Sequence, residues 1–434
     1  RDTTLEVLMK LVRLLTAGAL AAASLSGCGS DSPPAPASAA TDEAEPATIR
    51  LWLNGTDTPE PARAWLTDAF AKANPGSTLT IEQQQWEGLV ERLTTSLSSA
   101  SETPDVVEVG NTQAATFTGV GAFTDLTDSL PDLGGDDLLP GFVEAGTSEG
   151  RTYAVPYYAG SKFVFYRKSL LAKAGLEVPT TLDEFVDAAV TLKKANPAPS
   201  FSGFWFPGQD WRNGVSLVWA HGGSIAEPDG DAWDAQLSSP ESLAGLEQAQ
   251  ALFSQASGAG KDANETDPQV PFCAGEAAML SAPGWLRGVL EDPEAGCPEM
   301  MADVGAFALP GPDGDAAPVL LGGSNIAVSA ASEHQDLARS VVELMLSEEY
   351  QGLLVEAGLT PALQSLAGGL GDDEFAEASI DAASNARLTP AAAGWATVEG
   401  SRTMEDLFVG LADGGDPAAL AKAADTAIET ALER

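Results

Sequence analysis

Residues 151–171, RTYAVPYYAGSKFVFYRKSLL, constrain the fold more than any other part of the chain. Residues 153–155 read as a strand. Pro156 has no N–H to give to a ladder and is expected to interrupt it. Tyr157, Tyr158, Ala159, Gly160 and Ser161 make a small, hydroxyl-rich passage. Phe163-Val164-Phe165-Tyr166 then resumes as a second strand, and residues 167–171 open a helix. Two strands joined in this way read as a crossing between two sheets. Tyrosines at a crossing can present ring faces and hydroxyls to a ligand held between lobes. The same two rings would serve equally well as core.

With 434 residues the chain has room for more than one core, and two domains are expected. Upstream of the crossing, residues 48–53 alternate, with Ile49, Leu51 and Leu53 facing one way and Arg50 and Trp52 the other. Residues 59–74 carry Ala62, Trp65, Leu66, Ala69, Phe70 and Ala73 at helical spacing. Leu79 and Ile81 mark a second strand, Leu89, Leu93 and Leu97 a second helix, and Val106, Val107 and Val109 a buried third strand. Strand, helix, strand, helix, strand predicts a doubly wound sheet. Such sheets bind ligands at the carboxyl ends of their strands. Those ends carry Asn54, Gln84 with Trp86, and Asn111 with Thr112. Amides, a hydroxyl and an indole suit a neutral, hydroxyl-rich ligand, although each amide taken singly is more often a turn or cap residue.

Beyond the crossing, Thr181 followed by Glu184 predicts a capping box for a helix ending at Asn196. Phe201, Phe204, Trp205, Phe206 and Trp211 follow, broken by Gly203, Pro207 and Gly208. Trp211, beside Asp210, Arg212 and Asn213, is the first candidate for stacking on a sugar, and as a residue of a polar loop it should matter little to the fold. Trp205 and Trp219 are expected in the core. Ser239-Pro240 starts another helix.

The formal net charge of −41 excludes nucleic acid and anionic membrane surfaces as natural partners. Met9-Lys10-Leu11-Val12-Arg13 is a basic leader and residues 14–25 an apolar run, too short to span a bilayer and right for a signal peptide. Leu25-Ser26-Gly27-Cys28 resembles a lipobox, which makes Cys28 the expected lipidation site. The Ser/Pro/Ala-rich residues that follow read as a tether. Three cysteines less Cys28 leave Cys273 and Cys297, expected to bridge in an oxidising compartment. Two buried free thiols are the alternative.

GRTYAVPYY followed by FYRKSLLAKAGL, in residues 150–176, resembles the substrate-binding proteins of bacterial ABC importers, in particular the family 1 extracellular sugar binders of actinobacterial type. The resemblance spans nearly all of the mature chain. Residues 105–112, DVVEVGNT, are similar to a loop that touches sugar there. Residues 272–279, FCAGEAAM, resemble an F-x-x-G-x-A-A-M hallmark expected to open a helix, with cysteine at its second position as a departure. Trp285 stands where the family often places a ligand-facing aromatic. The glycine-rich run with Ser324 and Asn325 would return the chain to the first lobe. Residues 386–401, with Arg387 and Trp395, resemble a late loop that reaches the cleft.

The resemblance implies an α/β, two-lobed, type II periplasmic-binding-protein-like fold, each lobe a doubly wound sheet, with several crossing segments. The expected division is a signal peptide over 1–27, a tether over 28–47, a first lobe of 48–157 plus 323–365, and a second of 158–322 plus 366–434. The expected ligand contacts are Asn54, Gln84, Trp86, Asn111, Thr112, Tyr157, Tyr158, Trp211, Trp285, Ser324, Asn325, Arg387 and Trp395. The implied function is capture of a mono- or oligosaccharide for an ABC permease by a monomer lipid-anchored on the extracytoplasmic face of the membrane. Neither enzymatic activity, cofactor nor metal is expected. Two histidines far apart, and no HExxH, GxSxG, Walker loop or GxGxxG, leave no recognisable catalytic motif. Two other readings stay open: an extracellular carbohydrate-active enzyme, whose acid pair counting cannot identify among 63 acids, and a receptor for a non-sugar solute.

Overall fold

The computed structural model describes residues 46–432, apart from 100, 101, 231, 391 and 393. The expected signal peptide, nearly all of the tether and Cys28 lie outside them. Strand β1 (Thr48–Asn54), helix α1 (Glu60–Ala73), β2 (Thr78–Gln84), α2 (Leu89–Leu97) and β3 (Val106–Gly110) follow the predicted alternation. β1 pairs in parallel with β2 and with β3. Ile49, Leu51 and Leu53 meet Leu66 and Phe70 of α1 on one face of the sheet. Trp52, Val107 and Val109 meet Leu89 and Leu93 of α2 on the other. Alternation in β1 therefore marks two buried faces rather than one buried and one wet.

The sheet is completed by two antiparallel strands from far along the chain. Leu321–Val328 pairs with β3, and Ala154–Ser161 pairs with Leu321–Val328. With the short Thr360–Pro361 at its edge, the sheet has six strands. Pro156 does not interrupt the strand as expected. The register shifts between Ser324 and Asn325, whose partners are Tyr158 and Pro156. The bulge absorbs Tyr157 as an extra residue, a place where a missing ladder donor is tolerated. Gly323, opposite Ala159, has φ +138°, and a Cβ there would stand 2.3 Å from the Tyr158 carbonyl oxygen. Only glycine permits this approach.

A second, four-stranded sheet has the order Val304–Phe307, Phe163–Arg167, Ala277–Ala282, Ser202–Trp205. Its core takes in Phe204, Trp205, Trp219 and Phe272, with Trp395 and Val398 from the late chain. Trp205 and Trp219 are core as expected. Between the strand ending at Ser161 and the one beginning at Phe163 stands a single residue, Lys162. The crossing is thus one residue long, and the tyrosines belong to the first sheet.

Other local expectations are corrected. The FCAGEAAM run does not open a helix. Its Phe272 and Cys273 end the helix Gln269–Cys273, and Ala277–Ala282 is a central strand; four consecutive fully buried residues, Ala277 to Leu280, fit a strand covered on both faces. Thr181 caps Leu182–Ala195 through Glu184 N–H at 3.3 Å, and the Glu184 carboxylate reaches back to accept chiefly from Thr180, one residue before the cap. Cys273 and Cys297 form the expected disulfide, with Cα atoms 5.6 Å apart. It closes a loop of 24 residues, a constraint worth on the order of 3 kcal/mol.

Candidate functional site

The carboxyl ends of β1, β2 and β3 gather a polar cluster. Asp57, in the turn after β1, accepts the indole N–H of Trp86 at 2.9 Å and the Tyr158 hydroxyl at 3.1 Å, both on Oδ2. Trp86 is half-buried, and with its N–H engaged it offers a ring face. Gly55 (φ +57°) lies beneath it, where a Cβ would come within 2.8 Å of the indole nitrogen. Behind Asp57, Glu108 of β3 is fully buried. Its Oε2 accepts the backbone N–H of Asn54 at 2.7 Å, and its Oε1 accepts the Ser324 hydroxyl at 2.6 Å and stands 2.9 Å from the Tyr158 hydroxyl. Burial pushes the Glu108 carboxyl up to about 8, against the donors around it. Burial also raises Asp57, while Trp86 and Tyr158 pull the other way.

Several expected contacts are spent inside the protein. The amide nitrogens of Asn54, Asn111 and Asn325 donate to the carbonyls of Glu108, Leu321 and Phe142. All three side chains are buried, in bonds that tie distant segments together rather than in the turn or cap role, and the Oδ1 atoms of Asn54 and Asn325 have no partner among the described residues. Tyr157 is core: its hydroxyl lies 2.7 Å from those of Thr58 and Tyr350. Gln84 and Thr112 are partly exposed, Arg387 is exposed, and none of these three side chains has a hydrogen-bond partner among the described residues. Thr112 belongs to helix α3 (Asn111–Gly119), which starts where a loop was expected.

Trp211 is corrected most. It is 1% exposed, begins the helix Trp211–Ala220, and packs edge-on against Trp395 at 6.3 Å. The Arg212 guanidinium covers its ring at 4.7 Å. The loop is a helix start because Asp210 caps it, accepting Asn213 N–H at 3.0 Å. Asp210 is 1% exposed and pairs with Lys162 at 3.2 Å. Burial raises its carboxyl, and the ammonium opposes that. Burial would likewise raise Glu265, but Arg212 and Lys162 hold it below its ordinary value. Trp395 donates to Glu399, which accepts from Gln113 of α3 at 2.7 Å and so ties the second core to the first sheet's helices. Trp285 is the expected aromatic that touches both cores.

Asp57 and Glu108 were not among the expected site residues. Asp57 reads as an ordinary turn acid. Glu108 did leave a signal, a charged residue inside the valine run of a strand with no room for one. The described residues contain no cluster of acids, histidines and cysteines fit for a metal, and no helix long and apolar enough to cross a membrane.

Residues 54–352 match the family model described as bacterial extracellular solute-binding protein. The chain is 33% identical to the diacetylchitobiose binding protein DasA of Streptomyces coelicolor, over 92% of this chain and 93% of that protein. Among solved structures it resembles the GacH receptor of Streptomyces glaucescens, solved unliganded and with acarbose, at TM-score 0.79 and 22% identity, covering 89% of this chain and 99% of that one. Maltose-bound MalE3 of T. maritima gives 0.76 and 21%, covering 89% and 100%. At such identities these two establish the fold, a type II binding-protein architecture.

Proposed function

The chain belongs to the bacterial extracellular solute-binding protein family, and we propose that it captures a mono- or oligosaccharide between its two lobes and delivers it to an ABC permease. The observation that carries the sugar reading is the pairing of Trp86 with Asp57. The indole N–H is consumed by the carboxylate, so the ring face is left for the C–H face of a pyranose and the carboxylate's other oxygen for a hydroxyl. Trp285, at the junction of both cores, is the second candidate ring. Gln84, Thr112 and Arg387 are the candidates whose polar groups stand uncommitted. Buried Asn54, Asn111 and Asn325 shape the site rather than touch the ligand.

The two moving bodies are the lobes 48–157 plus 323–365 and 158–322 plus 366–434, with the first border shifted to Lys162 because the strand runs on to Ser161. The receptor is a monomer held at the extracytoplasmic face of the membrane through a lipid on Cys28. Cys28→Ala should release it into the medium, and retention in the membrane fraction would refute the anchor.

The relatives direct the test of the ligand. Diacetylchitobiose, acarbose and maltose are added to the purified chain, since a ligand of the native state alone raises its melting temperature. At least one should do so and be recovered intact after long incubation. No shift with any of the three counts against the sugar reading, and shortened products would make the protein an enzyme.

A further inference from the structure

The hydrogen bonds around Tyr158 do not balance if both neighbouring acids are ionised. Its hydroxyl stands 3.1 Å from Asp57 Oδ2 and 2.9 Å from Glu108 Oε1. A hydroxyl has one hydrogen and can donate to only one of them. The other contact is a hydrogen bond only when that acid holds a proton and donates it to the phenol oxygen. Burial decides which acid that is. Glu108 is 0% exposed, whereas Asp57 is half-buried at the strand ends. Neither is in an ion pair among the described residues. The titratable groups that act on Glu108 are Asp57 from the turn after β1, Tyr157 and Tyr158 from the strand Ala154–Ser161, and Tyr350 from the helix Glu348–Glu356. None of them is a cation. A bare carboxylate in that setting is costly, and a neutral acid is the cheaper state.

We propose that Glu108 is a proton-bearing positioning residue: it donates to Tyr158, Tyr158 donates to Asp57, and Asp57 is thereby fixed as the acceptor for a ligand hydroxyl. Ser324 and the Asn54 N–H hold the Glu108 carboxyl from its other sides. Trp86 supplies the second donor to Asp57. The chain of donors runs one way, from the fully buried acid to the half-buried one. Its elevated affinity for a proton, with half-titration at about 8, agrees with this order. When Glu108 loses its proton, the Tyr158 hydroxyl turns toward it. Asp57 then keeps one donor instead of two and gains a negative neighbour. Ligand affinity should decline as pH rises through about 8.

The proposal rests on the carbohydrate reading of the site, and two measurements on the whole chain separate them. Infrared difference spectra of wild type against Glu108→Gln need no ligand. They should show the C=O band of a neutral carboxylic acid near neutral pH, fading with a midpoint of about 8; absence of that band overturns the proposal. The second measurement is affinity for diacetylchitobiose. Tyr158→Phe and Glu108→Ala should each weaken it about tenfold, the worth of one buried hydrogen bond. Glu108→Gln, whose amide donates to Tyr158 as the acid does, should restore most of it and remove the alkaline decline. A glutamine variant as weak as the alanine variant overturns the positioning role. If wild type fails to bind diacetylchitobiose, that ligand is wrong, and the infrared band alone decides the state of Glu108.

Discussion

Glu108 and Asp210 are both buried carboxylic acids, one on the first sheet and one beside the second, and they are accommodated in different ways. Asp210 is surrounded by an ammonium, a helix N-terminus and the Asn213 amide, which donates to its Oδ2. Glu108 meets only hydroxyls and one backbone N–H. A cation within hydrogen-bond distance stabilises the charged form directly, whereas neutral donors only offset part of the desolvation. Asp210 is therefore a structural clamp at the lobe crossing, and Glu108 a group whose charge depends on pH. Asp210 also stands beside the one-residue crossing, where loss of rigidity would loosen both sheets.

Replacing Lys162 by alanine is expected to have the largest effect. It leaves Asp210 buried without its cation, a loss of about 3–5 kcal/mol, measured as a lowered urea midpoint. A change under about 1 kcal/mol would show that Asp210 needs no cation and would erase the contrast with Glu108. Trp211→Ala comes next, at about 3 kcal/mol, because a fully buried indole leaves a cavity beside Trp395. An unchanged melting temperature would return Trp211 to an exposed, ligand-facing role.

Glu108→Gln sharpens the comparison through pH. Below the ordinary value of 4.5, folded and unfolded chains are both protonated at this position and it contributes no pH dependence. As pH rises from there to about 8, the unfolded chain releases the proton and the folded chain retains it. Wild type should lose stability relative to the glutamine variant across that window, by up to about 1.4 kcal/mol per unit, and level off above it. A flat difference would mean that the fold does not raise the Glu108 carboxyl. The smallest effect on stability is expected of Trp86→Ala, under about 1 kcal/mol because the ring is half exposed. Its affinity for the sugar should nevertheless fall about tenfold to a hundredfold; unchanged affinity would remove the ring from the site.

Much of the architecture could be read from local pattern. Period-2 and period-3.6 spacing placed β1, α1, α2 and β3 within a residue or so and located β2, which runs three residues past Ile81, because those segments pack through faces their own sequence defines. The capped helices after Thr181 and Ser239 were legible for the same reason, their caps being bonds over three residues. The FCAGEAAM run was misread because small apolar residues suit a helix and a buried strand alike, and only pairing with Phe163–Arg167 decides between them. Pro156 was misread because a bulge exists only when the partner strand is present.

By itself the sequence determined the alternation of strands and helices, the crossing near Tyr157 and Tyr158, the cysteine pair, and a chemistry of rings and polar groups at strand ends. Each depends on spacing, composition or arithmetic within the chain. Tertiary structure decided which groups are spent and which remain free. It turned three asparagines inward onto carbonyls, buried Trp211 under Arg212, and brought Ser324 and Tyr158 onto Glu108 from positions 216 and 50 residues away. Commitment of a polar group is settled by its neighbours in space, since a buried donor or acceptor must find whatever partner the fold delivers.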